Sequence, residues 1–244
     1  MNNPEIARSI VASGIRTNYH DQGQGHSVLL IHGSGPGVSA WANWRLAIPE
    51  LAKQARVIAP DLVGNSFGGA LALALTIRHP HRVRRLVLMG SVGVKFPITP
   101  GLDAAWGYTP SLDNMRKLLG VFAHDRRLVN DELAQLRYEA SIQPGFQESF
   151  SAMFPAPRQA SVDAMASDEA DIGRIAQQTL VIHGREDQVI PLSNWYRLAA
   201  LIQRSQLHVY GQCGHWTQIE HAVRFARLVG DFLAEATADE PRPI

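Results

Sequence analysis

The sequence contains very little cysteine: Cys213 is the only one in 244 residues. A single thiol cannot form an internal disulfide, and so little cysteine is typical of proteins from a reducing compartment. No apolar run approaches the roughly 20 residues that a membrane-spanning helix needs. The first residues, MNNPEIARSIVASG, are polar and lack the apolar centre of a secretory signal. We therefore expect a cytoplasmic protein without a membrane segment.

The chain also lacks an excess of charge of either sign. Its 23 basic and 22 acidic residues give a net charge of +1, and no basic cluster stands out. This balance argues against nucleic acid and against an anionic membrane surface as partners. Apolar residues make up 45% of the chain, which is enough for the core of one large domain. We expect a globular protein that needs no cofactor and no metal.

Strand-like and helix-like segments alternate over most of the chain, which predicts an α/β fold with a mostly parallel sheet. Segments 9–15 and 16–22 alternate in polarity around Gly14 and predict an N-terminal β-hairpin. The predicted strands are 27–32, 56–60, 82–89, 179–183 and 206–210, and the predicted helices are 41–54, 68–78, 191–202 and 216–236. Residues 94–178 show only helical patterns, at 111–124, 130–142, 145–153 and 161–177. We therefore predict a core of residues 1–93 and 179–236, a helical cap at 94–178 and a flexible tail at 237–244.

The stretch 57–70, VIAPDLVGNSFGGA, combines a buried strand, a Gly-x-Ser-x-Gly turn at 64–68 and a helix of small residues. This order is typical of a nucleophile elbow, in which the serine backbone is strained and the flanking glycines prevent a collision between strand and helix. Ser66 is therefore the predicted nucleophile. An ordinary strand–helix turn is the alternative interpretation.

A serine nucleophile needs a base and a carboxylate that orients the base. Asp187 and His215 follow two consecutive predicted strands, in the order nucleophile, acid, base that this class of fold uses. Because the carboxyl ends of parallel strands meet at one edge, both side chains are expected on the edge that carries Ser66. Glu186 is a competing acid, and Asp61 is a more distant one.

The loop at 32–37, HGSGPG, follows a predicted strand and brings backbone N–H groups close to a ligand. We expect an oxyanion hole formed by the N–H groups of Ser34 and Phe67. The glycine spacing matches neither common nucleotide-binding pattern, which argues against a nucleotide. Cys213 is interpreted as a small buried residue beside His215 rather than as a second nucleophile.

Several longer stretches carry a more specific resemblance. HGSGPGVSAWANWR, GNSFGGALALALTIRHP, RLVLMGSVGV, TPGLDAAWGYTPS, LRYEASIQPGFQESF, HGREDQVIPL and GQCGHWTQIEH together resemble the meta-cleavage-product hydrolases. These are α/β-hydrolases of bacterial aromatic catabolism. The resemblance covers the chain apart from its tail, and it implies an α/β-hydrolase fold with an inserted cap.

The resemblance also implies roles for individual residues. The family's nucleophile, acid and base fall on Ser66, Asp187 and His215, and its oxyanion loop falls on Gly33, Ser34 and Gly35. Asn65, Arg137 and Trp216 match positions that hold the dienoate substrate. A turn-forming asparagine, a solvated arginine and a core tryptophan are the alternative interpretations of these three.

The reaction implied by the resemblance is hydrolysis of a C–C bond in a 2-hydroxy-6-oxo-2,4-dienoate, without a cofactor. The partner would be this small molecule, and a homo-oligomer is left open. A carboxylesterase with the same triad is one alternative. A non-catalytic relative is another, because one part of the chain departs from the family.

The departure lies just before Ser66. Only four residues separate Asp61 from Ser66, whereas a crossover between parallel strands needs about a dozen residues. Segment 56–60 and the strand that enters the elbow must therefore be one strand, and about one βα unit of the family is missing. A right-handed connection to this strand would move helix 41–54 to the opposite face of the sheet, whereas a helix that keeps its face requires a rare left-handed crossover. In a third arrangement the strand keeps its family position and Ser66 is displaced.

Overall fold

A computed structural model of the chain describes residues 8–12 and 15–235. Within them an antiparallel hairpin precedes a five-stranded parallel sheet whose order follows the sequence. The hairpin consists of β1 (Arg8–Ala12) and β2 (Ile15–Tyr19), and the sheet of β3 (Ser27–Ile31), β4 (Arg56–Asn65), β5 (Arg85–Met89), β6 (Gln178–Gly184) and β7 (Ser205–Tyr210). The predicted hairpin and parallel sheet are confirmed, while Gly14 and the predicted tail lie outside the described residues.

Helices cover the sheet and fill the chain between β5 and β6. Those of the core are α1 (Ala40–Trp44), α2 (Ile48–Leu51), α3 (Phe67–Arg78), α10 (Leu192–Leu201), α11 (Thr217–Glu220) and α12 (Ala222–Ala234). Those between β5 and β6 are α4 (Pro100–Trp106), α5 (Leu112–Phe122), α6 (Asp131–Ser141), α7 (Phe146–Met153), α8 (Gln159–Met165) and α9 (Glu169–Ile172). Within this part of the described chain the only regular structure is helical, as predicted. No helix of the described residues has the length and apolar character to cross a membrane.

Three predicted single helices are each divided into two, so those predictions were wrong in detail. Segment 41–54 forms α1 and α2, because Pro49 in the first turn of α2 has no N–H with which to continue a helix from α1. The last helix breaks at His221, whose φ of −126° and ψ of 40° lie outside the helical region. Segment 161–177 likewise yields α8 and α9.

The strand β4 is a single element that runs directly into Ser66, as the short spacing predicts. Its pairing with β3 changes register: Ser27 pairs with Arg56, but Val28 pairs with Asp61. Four residues of β4 therefore bulge out between these two pairs, and the strand then pairs regularly with β3 and β5. The bulge allows one strand to begin as a partner of Ser27 and to end as the strand of the elbow.

The crossover from β3 to β4 is left-handed. Strands β3, β4 and β5 lie side by side in this order, so the chain crosses the sheet in the same direction in both connections. Yet α2 packs with α12 on one face, whereas α3 shares the opposite face with α10. Two parallel crossovers in the same direction but on opposite faces have opposite hands, and α3 and α10 provide the common right-handed one. Of the three arrangements that the sequence allows, the chain adopts the left-handed crossover.

Candidate active site

The backbone of Ser66 has the strained conformation of a nucleophile elbow. Its φ of 53° and ψ of −118° are rare for a residue with a side chain and cost about 1–3 kcal/mol. Hydrogen bonds hold this conformation: the N–H of Ser66 donates to Met89 over 2.8 Å, and its carbonyl accepts from Gly69 and Val92. The strain is thus maintained from both β5 and α3. Strain of this kind is concentrated at functional sites.

Two glycines allow the backbone to approach Ser66 closely. A Cβ on Gly68 would lie 2.6 Å from the carbonyl oxygen of Ile31, and one on Gly33 would lie 2.9 Å from the Cβ of Ser66. Side chains at these positions would separate α3 from β3 and move the 32–37 loop away from the elbow. The structure therefore explains why positions 33 and 68, which lie beside Ser66 in space, are occupied by glycine.

The structure brings Asp187 and His215 together. The Nδ1 atom of His215 lies 2.8 Å from Oδ2 of Asp187, and the other carboxylate oxygen accepts N–H groups from Val189 and Ile190. An ionised carboxylate only accepts hydrogen bonds, so Nδ1 carries the proton and Nε2 of a neutral His215 is left as the basic atom. Both side chains are almost fully buried.

The carboxylate of Asp187 is held in its ionised form. Burial opposes its charge, but His215 and the backbone N–H of Ile190 outweigh burial, so the pKa of Asp187 is below its usual value. His183 lies on the other side of this carboxylate, with Nε2 3.7 Å from Oδ2 of Asp187. Burial lowers the pKa of His183 to about 4, which keeps that ring neutral near pH 7. Asp187 therefore faces one hydrogen-bonded imidazole and one uncharged imidazole.

Glu186, the competing acid, points elsewhere. Its carboxylate accepts the N–H of Cys213 over 2.9 Å and pairs with the guanidinium of Arg185. Burial raises the pKa of the Cys213 thiol, which fits the interpretation of this residue as a packing residue. The side chain of Asp61 is not among those that the structure describes. Of the two predicted acids whose side chains the structure describes, Asp187 is the one that contacts His215.

The end of α5 and the residues that follow it hold the loop that carries His215. The N–H of His215 donates to the carbonyl of Phe122 over 2.8 Å. Glu220 accepts the N–H of Gly214 with one oxygen and the N–H of Asp125 with the other. The imidazole also stacks on the ring of Phe122 at 5.8 Å. The position of the base thus depends on contacts with the helical part of the chain between β5 and β6.

Gly90 packs against the imidazole of His215. Its φ is +50°, and a Cβ would lie 2.9 Å from Cε1 and 3.0 Å from Nδ1 of His215. We predict that Gly90→Ala displaces the ring and lowers kcat by about 10- to 100-fold, the usual effect of an error of about 1 Å in a catalytic group. Steady-state kinetics and a thermal melt test this expectation.

Gly145→Ala is the matched control for that variant. Gly145 also has a positive φ, +77°, but a Cβ there would meet nothing within 4 Å. It should therefore share the backbone cost, about 1 kcal/mol, and keep its kcat. Equal losses of activity in the two variants would show that backbone strain, and not the contact with His215, is responsible.

Of the two predicted oxyanion donors, Ser34 lines the cavity at Ser66 and Phe67 does not, and a role of their N–H groups as an oxyanion hole stays a prediction. The N–H of Phe67 begins α3, where the helix dipole favours negative charge. Ser34 lines the same small cavity as Ser66, and its hydroxyl accepts the indole N–H of Trp106 over 3.0 Å. Gly35 is not among the residues that line this cavity, and a Cβ at this position would lie 2.9 Å from Cγ2 of Val38.

Ser66, His215, Arg137 and Trp216 line one cavity of about 10 Å³, which holds about one water-sized molecule. The Ser66 hydroxyl does not hydrogen-bond to His215 in this structure, and catalytic bonds of this kind commonly tighten only when substrate binds. Arg137 is buried, donates to the carbonyl of Gly37 over 2.9 Å and lies 5.8 Å from the ring centroid of Trp216. The predicted solvated alternative for Arg137 is therefore wrong.

A buried amide cluster beside the cavity escaped the sequence analysis. Asn65 donates to Oδ1 of Asn43 over 2.9 Å, and Gln218 contacts the same oxygen at 3.5 Å. Asn43 lines the cavity together with Asn65. Asn43, Asn65 and Gln218 are far apart in the sequence and form no motif there, because only the fold brings them together. Within the described ranges no group of three or more His, Cys, Asp or Glu side chains could hold a metal.

Comparison with known proteins identifies the fold family. A profile described as the alpha/beta hydrolase fold matches residues 62–222. The chain is 62% identical to the 2-hydroxymuconate semialdehyde hydrolase of Pseudomonas sp. strain CF600, with 97% of each chain covered. It is 56% identical to the 2-hydroxy-6-oxo-2,4-heptadienoate hydrolase of Pseudomonas putida, with 95% of this chain and 98% of that protein covered.

A solved structure agrees. The meta-cleavage product hydrolase CumD from Pseudomonas fluorescens IP01, complexed with acetates, superposes with a TM-score of 0.94 and 56% identity, covering 96% of this chain and 100% of that chain. The alignment with the CF600 protein spans 274 positions against 244 residues here, so at least 30 positions are gaps in this chain. That these gaps fall between Asp61 and Ser66 stays a prediction.

Proposed function

The chain belongs to the α/β-hydrolase fold family and, within it, to the meta-cleavage-product hydrolases, and from this premise we propose that it hydrolyses a C–C bond of a 2-hydroxy-6-oxo-2,4-dienoate. The proposed substrate is 2-hydroxymuconate semialdehyde or a 6-alkyl analogue, in the meta-cleavage degradation of aromatic compounds. The observation that carries the proposal is that buried Arg137 lines the same cavity as Ser66 and His215. A buried cation beside a serine nucleophile favours an anionic substrate over a neutral ester.

In the proposed mechanism the substrate itself accepts the electrons of the broken bond. The dienol first ketonises and takes a proton at C5. Attack at the C6 carbonyl follows, by Ser66 or by a water that Ser66 and His215 orient, with His215 taking the proton of the attacking hydroxyl. Collapse breaks the C5–C6 bond, and its electron pair becomes a dienolate conjugated with the C2 carbonyl. One water is consumed, and the products are a five-carbon 2-hydroxydienoate and a carboxylic acid.

Each residue of the site has one task in this scheme. Asp187 fixes the proton on Nδ1 of His215 and stabilises the imidazolium that forms. The N–H groups of Ser34 and Phe67 stabilise the oxyanion at C6. The Arg137 guanidinium pairs with the substrate carboxylate, and Asn65 and Trp216 orient the diene. Gly33 and Gly35, which have no side chains, leave room for the substrate beside the oxyanion loop. No cofactor takes part.

The proposal extends to the organisation and the setting of the protein. Residues 1–93 and 179–236 form the hydrolase core, and residues 94–178 form the cap. The purely helical character of the described chain between β5 and β6 supports this division, and the hydrogen bond from Trp106 to Ser34 joins the cap to the oxyanion loop. A cytoplasmic location is supported by the single cysteine, which is buried.

Mixing the purified full-length chain with the yellow ring-fission product of a catechol tests the proposed function. We expect the absorbance of the dienoate to fall as the C–C bond is cleaved. Hydrolysis of p-nitrophenyl esters without bleaching would identify a carboxylesterase instead. Neither activity, together with a non-cooperative melt, would identify a relative that has lost catalysis with its shortened core.

The contact of Arg137 with the substrate carboxylate gives a separate prediction. Arg137→Lys keeps the charge but loses the planar donor pair, so kcat/KM for the dienoate should fall by about 10- to 100-fold, mainly through KM. The matched measurement is hydrolysis of p-nitrophenyl acetate, which has no carboxylate and should change little. A similar loss for both substrates would place Arg137 in a structural role.

A further inference from the structure

A groove of about 480 Å³ lies between the segment that begins with α1 and the cap helix α6. Its walls include Trp41 and Leu46 from the core and Leu133 and Leu136 from α6. Leu46 and Leu136 leave 43% and 59% of their surface exposed, so a ligand from solvent can reach them. The mechanism above uses none of these four side chains.

The groove adjoins the cavity at Ser66. Asn43, Arg137 and Trp216 line both spaces and form the partition between them. The cavity at Ser66 has room for about one water, so a dienoate needs adjoining space to approach the serine. The groove provides it, with a volume in the range of about 300–1,000 Å³ that is usual for small-molecule sites.

The charges of the groove favour an anion. Two guanidinium groups, those of Arg45 and Arg137, line it, and the described lining contains no Asp or Glu. Arg45 donates to the carbonyl of Ala42, and no described carboxylate lies within ion-pair distance of it. A carboxylate ligand would therefore gain a charge-assisted hydrogen bond without displacing a described acid.

We propose that this groove is a binding site for the carboxylate-bearing diene chain outside the Ser66 cavity, through which the dienoate reaches the serine and its five-carbon product leaves. The carboxylate faces Arg45, and the planar diene lies between the indoles of Trp41 and Trp216 and the leucines of α6. The identity of the ligand rests on the proposed function. The apolar walls disfavour a phosphate or a sugar, and the two arginines disfavour a cation.

Sorbate (hexa-2,4-dienoate) is a suitable probe because it has the diene and the carboxylate but no C6 carbonyl to cleave. Calorimetric titration should show binding to the full-length protein. Binding should weaken about tenfold in Arg45→Gln, which removes one charge-assisted hydrogen bond. It should weaken similarly in Leu136→Trp, which fills the groove from an exposed position and should not disturb the core. Both variants should also raise KM for the ring-fission product.

Two substitutions on α12, at residues absent from the lining of the groove, are matched controls. Arg227→Gln and Val223→Trp repeat the two chemical changes at exposed sites, where the side chain of Arg227 is 83% and residue Val223 is 75% exposed. Both should leave the affinity for sorbate unchanged. The same affinity in all five proteins, or no binding of sorbate at all, would overturn the groove proposal.

The binding assay tests the groove and the bleaching assay tests the proposed function, so a negative result in one does not decide the other. Bleaching by the unmodified protein together with unaltered sorbate affinity in Arg45→Gln and Leu136→Trp would reject the groove and keep the proposed function. Weakened sorbate binding in these two variants without any bleaching by the unmodified protein would keep the carboxylate site and reject the C–C hydrolase.

Discussion

Ser66→Ala should abolish bleaching of the dienoate, with a fall in kcat of at least about 10³-fold and as much as 10⁶-fold, the range seen when a triad nucleophile is removed. The hydroxyl of Ser66 either attacks the C6 carbonyl or orients the water that does. Neither His215 nor the oxyanion hole can replace it, because His215 only takes the proton of the attacking group and the oxyanion hole only stabilises the charge that the attack creates at C6. The measurement is the rate at which the purified variant removes the yellow absorbance.

The substitution should leave the fold intact, which makes the result interpretable. Alanine retains the Cβ that contacts Gly33 and removes no hydrogen bond of the elbow, because those bonds are made by the backbone of Ser66. An unchanged melt with intact binding of sorbate would confirm a folded protein. Bleaching at more than about a tenth of the original rate would contradict the assignment of the nucleophile, since the loss of a triad serine is far larger.

The features that the sequence predicted correctly are those that depend on neighbours in the chain. The elbow around Ser66 is a local strand–turn–helix pattern, and its strained backbone follows from the position of the glycines. Asp187 and His215 were placed because both follow parallel strands, whose ends must meet at one edge. Such predictions require the order of elements but no knowledge of packing.

The features that the sequence did not predict are contacts between distant segments. Gly90 fits against His215 only because the carboxyl ends of β5 and β7, which lie on either side of β6, meet at one edge of the sheet. Asn43 is likewise one of several asparagines until α1 brings it to Asn65. No spacing rule connects these residues in the sequence, so each is visible only in the folded chain.

The approach to Ser66 shows a third case, in which the sequence limited the answer without choosing it. Four residues after Asp61 require one strand where two would otherwise stand, and the structure has β4 as that strand. Val28 and Leu30 of β3 both point toward the face of the sheet that α2 and α12 cover, and α3 covers the opposite face. This packing decides on which face the helices between β3 and β4 lie. Packing therefore outweighed the usual preference for a right-handed crossover.

The second large effect is expected for Asp187→Asn, with a fall in kcat of about 10⁴-fold. One oxygen of Asp187 already accepts two backbone N–H groups, so an asparagine must keep its oxygen there and direct its NH₂ group at His215. An NH₂ group donates, so Nδ1 of His215 must accept and its proton moves to Nε2. The base then has no lone pair on the side that faces Ser66.

Glu186→Gln is the control that separates the two neighbouring acids. Its amide oxygen can still accept the N–H of Cys213, so the loop before His215 should keep its shape. We expect a loss of less than about tenfold, because the removal of one exposed ion pair contributes at most about 1 kcal/mol. The kinetic constants of the two variants and their melts decide the assignment.

A large loss in Glu186→Gln with little effect of Asp187→Asn would mean that the carboxylates exchange roles when substrate binds. The 2.8 Å contact between Asp187 and His215 argues for the opposite outcome, because breaking it would leave the Asp187 carboxylate buried without its imidazole partner.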